Sequence, residues 1–243
     1  MSMIGEQFYL AAYWGPRAEG VEACAERLLQ CVEDLRSLSD VMSSWFRKGA
    51  SRSAKLAIAW EPSAVVGLLR AGQNRKDSGG EVMDELGYRV GLWNGNVSAP
   101  VSMSVTCGAN PRTPGVMNAF VLQLPELELG GPDVAGLYGG GRLRSGLRSV
   151  VECWDPDWAV VTSNSLRNAQ GPLPRAPHVG WLTYLSGQIP ILENVPHGVL
   201  AESLRDGVLI SSTQNPQDVN EEIVMAVRNV LARAGSLEPT AAS

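Results

Sequence analysis

Residues 8–38, FYLAAYWGPRAEGVEACAERLLQCVEDLRSL, decide how the chain is read. Phe8 to Trp14 is aromatic and apolar throughout, the composition of a buried strand. Gly15-Pro16 interrupts it. Pro16, with its φ fixed and no N–H, suits a position at or just before a helix start. Beyond it Val21, Cys24, Ala25, Leu28, Cys31, Val32, Leu35 and Leu38 recur at three- and four-residue steps, which places them on one helical face. Glu19, Glu22 and Glu26 fall in the first turns, where the helix dipole favours negative charge. A strand followed by a long amphipathic helix is therefore the starting point.

Working outward, Asp40 to Lys48 reads as a short helix, N-capped by Asp40 and ended by Gly49. A third helix follows Trp60-Glu61-Pro62, with Val65, Val66, Leu68 and Leu69 as its apolar stripe. Gln73 to Gly80 is a loop of turn-formers and charges, and Glu81 to Leu86 a brief helix. The periodicity then changes. Tyr88 to Trp93 is a strand ended by the turn signal Asn94-Gly95, Val101 to Cys107 alternates apolar with small polar residues, and Met117 to Leu124 is a third strand. An antiparallel meander is expected here. Gly130 to Gly141 reads as a long glycine-rich loop, and Leu143 to Trp154 as a helix ended by Asp155-Pro156-Asp157. Trp158 to Thr162, Val179 to Leu185 and Val208 to Ser212 read as strands, with Gln170 to Pro177 looped or extended. Asn215-Pro216 opens a last helix whose face is Val219, Ile223, Val224, Val227, Val230 and Leu231, ended by Gly235. The predicted class is α+β, a mainly antiparallel sheet flanked by a long N-terminal and a C-terminal helix. Residues 1–236 form one such domain and 237–243 a flexible tail. A loose echo between halves leaves open a division into two similar packed lobes, 1–125 and 142–236.

Length and composition bound the function. The chain has 243 residues, of which 44% are hydrophobic and 19% charged, enough for a substantial core in an ordinary globular protein. No apolar run is long enough to span a bilayer and no signal-peptide pattern opens the chain, so a cytoplasmic location without membrane attachment is expected. Cys24 and Cys31 sit seven apart on one helix, about 10 Å along its axis and too far to bridge. No C-x-x-C pair exists, and all four cysteines read as buried free thiols. The formal net charge is −5. From Ser43 to Lys76 there are seven basic residues (Arg47, Lys48, Arg52, Lys55, Arg70, Arg75, Lys76) against Glu61 alone. From Val150 onward there are five arginines against ten acids. That acidic half argues against nucleic-acid binding and suits a basic protein partner.

Catalytic signatures are scarce. The only histidines, His178 and His197, fall in proline-containing loops and belong to no metal-ligand spacing, so no metal site or cofactor is predicted. The Gly130–Gly141 segment lacks the Gly-Lys-Ser/Thr ending of a P-loop, and Arg144 stands where a dinucleotide fingerprint needs its third glycine. No G-x-S-x-G elbow is present. Pro156-Asp157 invites comparison with the metal site of restriction-type nucleases, which needs a lysine two residues after an acid. Lys48, Lys55 and Lys76 are preceded at that spacing by Phe46, Ser53 and Asn74, so the comparison fails. A Cys–His dyad and a glycine-rich-loop enzyme remain as alternatives. The unusual feature is tryptophan: seven, all near element ends. Trp154-Asp155-Pro156-Asp157-Trp158 combines acids with aromatics on a turn, the chemistry of a protein-binding patch. Glu152, Trp154, Asp155, Asp157 and Glu193 are the candidate binding residues, with helix termination and surface solvation as their alternative roles.

F-Y-L-A-A-Y-W-G-P-R with its Cys- and Leu-bearing helix, then W-F-R-K-G, resembles the immunity protein 52 family of bacterial polymorphic-toxin systems. G-Y-R-V-G-L-W-N-G, W-x-P-D-W-A-V-V-T (Trp154, Pro156 to Thr162) and V-G-W-L-T-Y-L extend the resemblance over nearly the whole chain. It implies an α+β fold, no enzymatic activity and no catalytic residues. It also implies a specific complex with a cognate secreted toxin, often a restriction-endonuclease-like nuclease delivered between bacteria, as in type VI secretion. A secretion chaperone or adaptor differs in binding the toxin without suppressing it.

Overall fold

A computed structural model describes residues 6–49, 51, 53–110, 112, 115–127, 131–139, 141–172, 176–187 and 195–238. Its strands are β1 (Phe8–Trp14), β2 (Arg47–Lys48), β3 (Lys55–Leu56), β4 (Tyr88–Trp93), β5 (Ser102–Cys107), β6 (Asn118–Gln123), β7 (Trp158–Ser163), β8 (Leu182–Leu185), β9 (Leu200–Leu204) and β10 (Gly207–Ser211). Its helices are α1 (Val21–Leu38), α2 (Pro62–Ala71), α3 (Gly131–Tyr138), α4 (Arg142–Trp154), α5 (Asn164–Ala169) and α6 (Glu221–Arg233). Eight strands form one sheet in the order β4-β5-β6-β1-β7-β8-β10-β9, and every pairing in it is antiparallel. The fold is α+β.

β1 runs through the middle because both its edges are used. Ala11 faces Val121 of β6 on one side and Val160 of β7 on the other. The sheet thus crosses from residues 1–125 into 142–236 without a break. Alternation along β1 divides its side chains between two faces. Phe8, Leu10 and Trp14 point to α1, α3 and α4: Phe8 meets Tyr138 edge-on at 5.9 Å and Trp14 stacks on Trp154. α1 and α4 approach closely at Gly146, where a Cβ would lie 3.0 Å from Leu38 Cδ1 and 4.0 Å from Leu10 Cδ1. Tyr9, Ala11 and Tyr13 take the opposite face.

The two halves of the sheet differ on that opposite face. β7 and β8 are buried on both sides, with α4 on one and α5, backed by α6, on the other. β5 and β6 are covered on one side only. Met103, Val105, Cys107, Phe120 and Leu122 are buried towards the helices. Ser102, Ser104, Thr106, Ala119 and Val121 stay partly open and Gln123 is exposed. The strict alternation of the β5 sequence follows from this one-sided cover.

Several local expectations give way to tertiary pairing. Asp40–Lys48 is not a helix. A 3-10 turn spans Asp40–Met42, and then Phe46 exchanges both backbone hydrogen bonds with Trp93 (2.8 and 2.9 Å), drawing Arg47–Lys48 into a two-stranded ribbon with β3. The glycine-rich stretch expected as a loop contains α3, because Val134, Leu137 and Tyr138 bury their side chains and the Tyr138 hydroxyl donates to Pro125 O at 2.9 Å. Glu81–Leu86 contracts to a 3-10 turn at Asp84–Leu86. α1 begins at Val21, so Glu19 precedes it and pairs instead with Arg27 at 3.0 Å. The C-terminal helix starts at Glu221, with the Asn220 side chain accepting from Ile223 N at 3.0 Å, after a separate 3-10 turn at Pro216–Asp218. α5, capped by Ser163, and the largely exposed β9 are additional elements. Of the expected tail, Leu237 packs on the core, and 239–243 lie outside the described residues. Among the described residues no helix is long and apolar enough to cross a membrane.

Candidate protein-binding surface

Three of the residues singled out by sequence meet where α4 ends and β7 begins. α4 carries Trp154 inward, where it is 1% exposed and stacked on Trp14 with ring centroids 5.3 Å apart. Asp155 ends the helix in the left-handed region at φ 50, a conformation Asp tolerates better than most residues, with its N–H bonded to Val151 O at 2.9 Å. Its half-exposed carboxylate lies between Arg205 at 3.0 Å and Arg17 at 3.6 Å. Arg17 also donates to the carbonyls of Trp154 and Asp155, sealing the end of α4. Asp157 accepts from Gly15 N at 2.8 Å through Oδ2, gives its own N–H to Tyr13 O at 2.9 Å, and takes Ser186 N and Oγ on its carbonyl at 3.0 and 2.9 Å. It therefore ties together β1, β7 and the end of β8. Glu152 is exposed and makes no ion pair among the described residues. Glu193 lies outside the described residues.

One residue beyond Asp157, Trp158 turns to the other face of the sheet and forms a pocket. Its ring stacks on Tyr13, with centroids 4.4 Å apart and planes at 27°, and lies 6.0 Å from the His178 ring. Tyr9, Met117 and Arg167 complete the wall around a cavity of about 210 Å³. Trp158 is 4% exposed and its indole N–H has no acceptor among the described residues. Burial raises the Tyr13 hydroxyl to about 12, helped by the neighbouring Tyr9 and opposed by Arg167. Burial likewise raises Tyr9. It lowers His178, with Arg167 and Arg228 adding to the effect, so the imidazole is held neutral. Among the described residues the wall thus offers donors and one guanidinium, and no carboxylate.

At the other end of the sheet a cleft of about 540 Å³ wraps around the β4 edge, touching Val90, Leu92 and Met103 of the helix-covered face as well as the open one. Arg47, Lys48 and Arg89 line it, with Gly91, Ser104 and Val121 among its other residues. No Asp or Glu lines it among the described residues. Tyr9, Tyr13 and Arg167 were not among the residues singled out by sequence. The signal for the tyrosines was present in FYLAAYW, whose alternation puts them opposite Phe8, Leu10 and Trp14. Arg167 carried no such signal, because α5 was not anticipated.

The four thiols are buried and free. A hydrogen bond with Cys153, together with burial, raises Cys31, and a hydrogen bond with Cys24 together with burial raises Cys107. Those thiols are held protonated, the wrong state for attack. Among the described residues no cluster of three or more His, Cys, Asp or Glu is placed to hold a metal ion. What the surface offers is shape, aromatic area and charge.

Comparison with known proteins agrees with that character. No curated protein matches the chain. In fold it is similar to the Pseudomonas aeruginosa T6SS protein PA0821, with a TM-score of 0.55 at 10% identity over 93% of this chain and 75% of that one. The family model described as immunity protein 52 matches residues 6–240, nearly the entire sequence, and the chain belongs to the immunity protein 52 family.

Proposed function

We propose that this chain binds a cognate secreted bacterial toxin and neutralises it by covering it, without catalysis of its own. The observation that carries the proposal is the family match over residues 6–240. The likeness in fold to a T6SS protein favours a toxin delivered by type VI secretion. A restriction-endonuclease-like nuclease is the effector class that fits best, and the cytoplasm the compartment where it would be met. A nucleic-acid-cleaving site is basic, and a chain of net charge −5 with an acidic C-terminal half presents it with a complementary field. The α4–β7 corner belongs to this proposal. Glu152 supplies a carboxylate unpaired among the described residues, Asp155, held between Arg17 and Arg205, joins Asp157 and Trp154 in keeping its shape, and Glu193 joins it on sequence grounds alone.

The deciding experiment takes a candidate toxin domain from the coding region beside this chain and expresses it alone and together with the chain. Growth arrest by the toxin, relieved by co-expression and accompanied by a stable purified complex, is the expected result. Complex formation without relief points to a chaperone instead. Neither binding nor relief ends the proposal.

A further inference from the structure

The register of the sheet connects the basic cleft at the β4 edge to the aromatic pocket at β1 and β7. Reading across paired residues, Gly91, Ser104, Val121 and Ala11 form one row. Beside it run Arg89, Thr106, Ala119 and Tyr13, and on the other side Trp93, Ser102, Gln123 and Tyr9. Over β5 and β6 the open face carries short side chains apart from Gln123, with Tyr9 and Tyr13 standing at one end and Arg89 and the buried Trp93 at the other. This makes a low floor leading into a walled pocket. Four inter-strand steps of about 4.8 Å separate β4 from β7, a track of about 19 Å that roughly six residues of extended chain would fill.

The charge along this track is one-sided. Arg47, Lys48 and Arg89 stand at one end and Arg167 at the other, and none takes part in an ion pair among the described residues. Elsewhere among the described residues Arg17 and Arg205 pair with Asp155, Arg27 with Glu19, Arg36 with Glu33, Arg70 with Glu22, and Arg144 and Arg148 with Glu202, whereas Arg75, Arg112, Arg142, Arg228 and Arg233 are unpaired. What sets the track apart is that no acid lines the cleft or the pocket at its ends among the described residues. An uncompensated basic track on a chain of net charge −5 is a departure from its own composition. We propose that this bare face is a docking groove for an acidic segment of the partner toxin, with one large apolar side chain of that segment seated between Tyr9, Tyr13 and Trp158. The inference rests on the toxin-binding reading above and adds the chemistry of the segment recognised.

Each part of the groove has a use in that arrangement. Arg47, Lys48 and Arg89 are exposed, so their attraction acts mainly on the rate of encounter and is screened by salt. The pocket is side-chain-sized and already walled by buried aromatics, the setting in which an inserted residue becomes a binding hot spot. The tyrosine hydroxyls can donate to backbone carbonyls or carboxylates beside the inserted residue. Arg167 disfavours a cationic insert, which an aromatic cage alone would otherwise attract. A long polyanion is a poorer occupant, because the net negative field of the chain repels what extends beyond the track.

The test measures binding kinetics of the purified chain with the candidate toxin domain taken from the neighbouring coding region, at about 50 and 300 mM salt. Three variants are compared: Lys48→Glu with Arg89→Glu, Arg167→Glu alone, and Arg233→Glu on α6 as a control for charge. All alter exposed side chains, and circular dichroism checks that each folds. The double reversal should slow association at least fivefold at low salt and far less at high salt. Arg167→Glu should speed dissociation at least tenfold, and Arg233→Glu should leave both unchanged. Wild-type binding that no groove variant alters overturns the groove while leaving the toxin-binding reading intact. Failure of the wild type to bind removes that reading and this inference with it. Binding of a 20-nucleotide single strand that the groove variants abolish, with toxin binding unaffected, also overturns the proposal.

Discussion

The indole of Trp154 lies on that of Trp14, centroids 5.3 Å apart and planes 24° from parallel, and joins the last turn of α4 to the last residue of β1. Both rings are at most 1% exposed. Trp154→Ala would leave a cavity between helix and sheet at the point where Arg17, Asp155 and Asp157 depend on the helix end. A loss of about 3–5 kcal/mol is expected, since the neighbours are pinned and cannot collapse. Trp154→Phe, which keeps a stacked ring, should lose well under half as much. Denaturant unfolding at neutral pH measures both, and an alanine variant within about 1 kcal/mol of wild type would show that the stack contributes little.

Asp157 and Glu152 separate structure from electrostatics at the same corner. Asp157 is the acceptor for Gly15 N at 2.8 Å, so Asp157→Ala strands a backbone donor where β1 ends and should cost about 1–3 kcal/mol. Asp157→Asn retains an acceptor oxygen and should cost clearly less. Equal losses would mean that the hydrogen bond is not what holds this turn.

Glu152 is exposed, and its reversal should leave the unfolding midpoint unmoved. If the corner faces a basic partner, Glu152→Lys slows association with the toxin at low salt by several-fold, and the effect fades as salt rises. Unchanged kinetics would take the corner out of the interface. Charge reversal at Asp157 cannot serve this purpose, because it would report the lost backbone bond as well.

Much of the fold was legible because its elements announce themselves by period. β1, α1, the β4–β5–β6 meander and α4 have residue patterns that local burial and tertiary structure both favour. Two of the misreadings share one cause. Phe46 pairs with Trp93 and Tyr138 reaches Pro125, and these distant partners override the propensities of Asp40–Lys48 and of a glycine-rich stretch. The corner was legible as chemistry, acids beside tryptophans. It was not legible as geometry, since nothing in Trp154-Asp155-Pro156-Asp157-Trp158 tells which indole turns inward towards Trp14 and which lines a pocket. The pocket itself needs Tyr9, Trp158, Arg167 and His178, which come from separate segments that only the sheet register brings together.

The thiols offer a test of core integrity. All four are buried and free, and Cys153 Sγ donates to Asp34 Oδ2 at 3.7 Å. A thiol reagent at pH 8 should find almost none in the folded protein and all four after denaturation. Rapid labelling of one in the native state would place it on a region that opens locally. Slow labelling of all four at a common rate would report global unfolding.

Alkaline pH should weaken the fold, and the sign follows from which state holds its protons. All five tyrosines are raised, in each case chiefly by burial, and Tyr13 is raised to about 12. The Cys31 and Cys107 thiols are raised too, each first by the hydrogen bond to its partner thiol. In the unfolded chain thiols titrate near about 8.5 and phenols near about 10. Above those values the native state keeps protons that the unfolded state has lost, so stability falls as pH rises. It should be level from pH 7 to about 8 and decline beyond, with the contribution of Tyr13 lost between about 10 and about 12. The chain has only three lysines, Lys48, Lys55 and Lys76, and of these Lys76 alone pairs, with Glu81, among the described residues, so loss of lysine charge is a small competitor. Denaturant midpoints at pH 8, 9.5 and 11 for wild type and Tyr13→Phe isolate the effect. The stability difference between them should shift towards the phenylalanine variant as pH rises from 9.5 to 11, and a constant difference would mean that the Tyr13 hydroxyl is not held above its ordinary range.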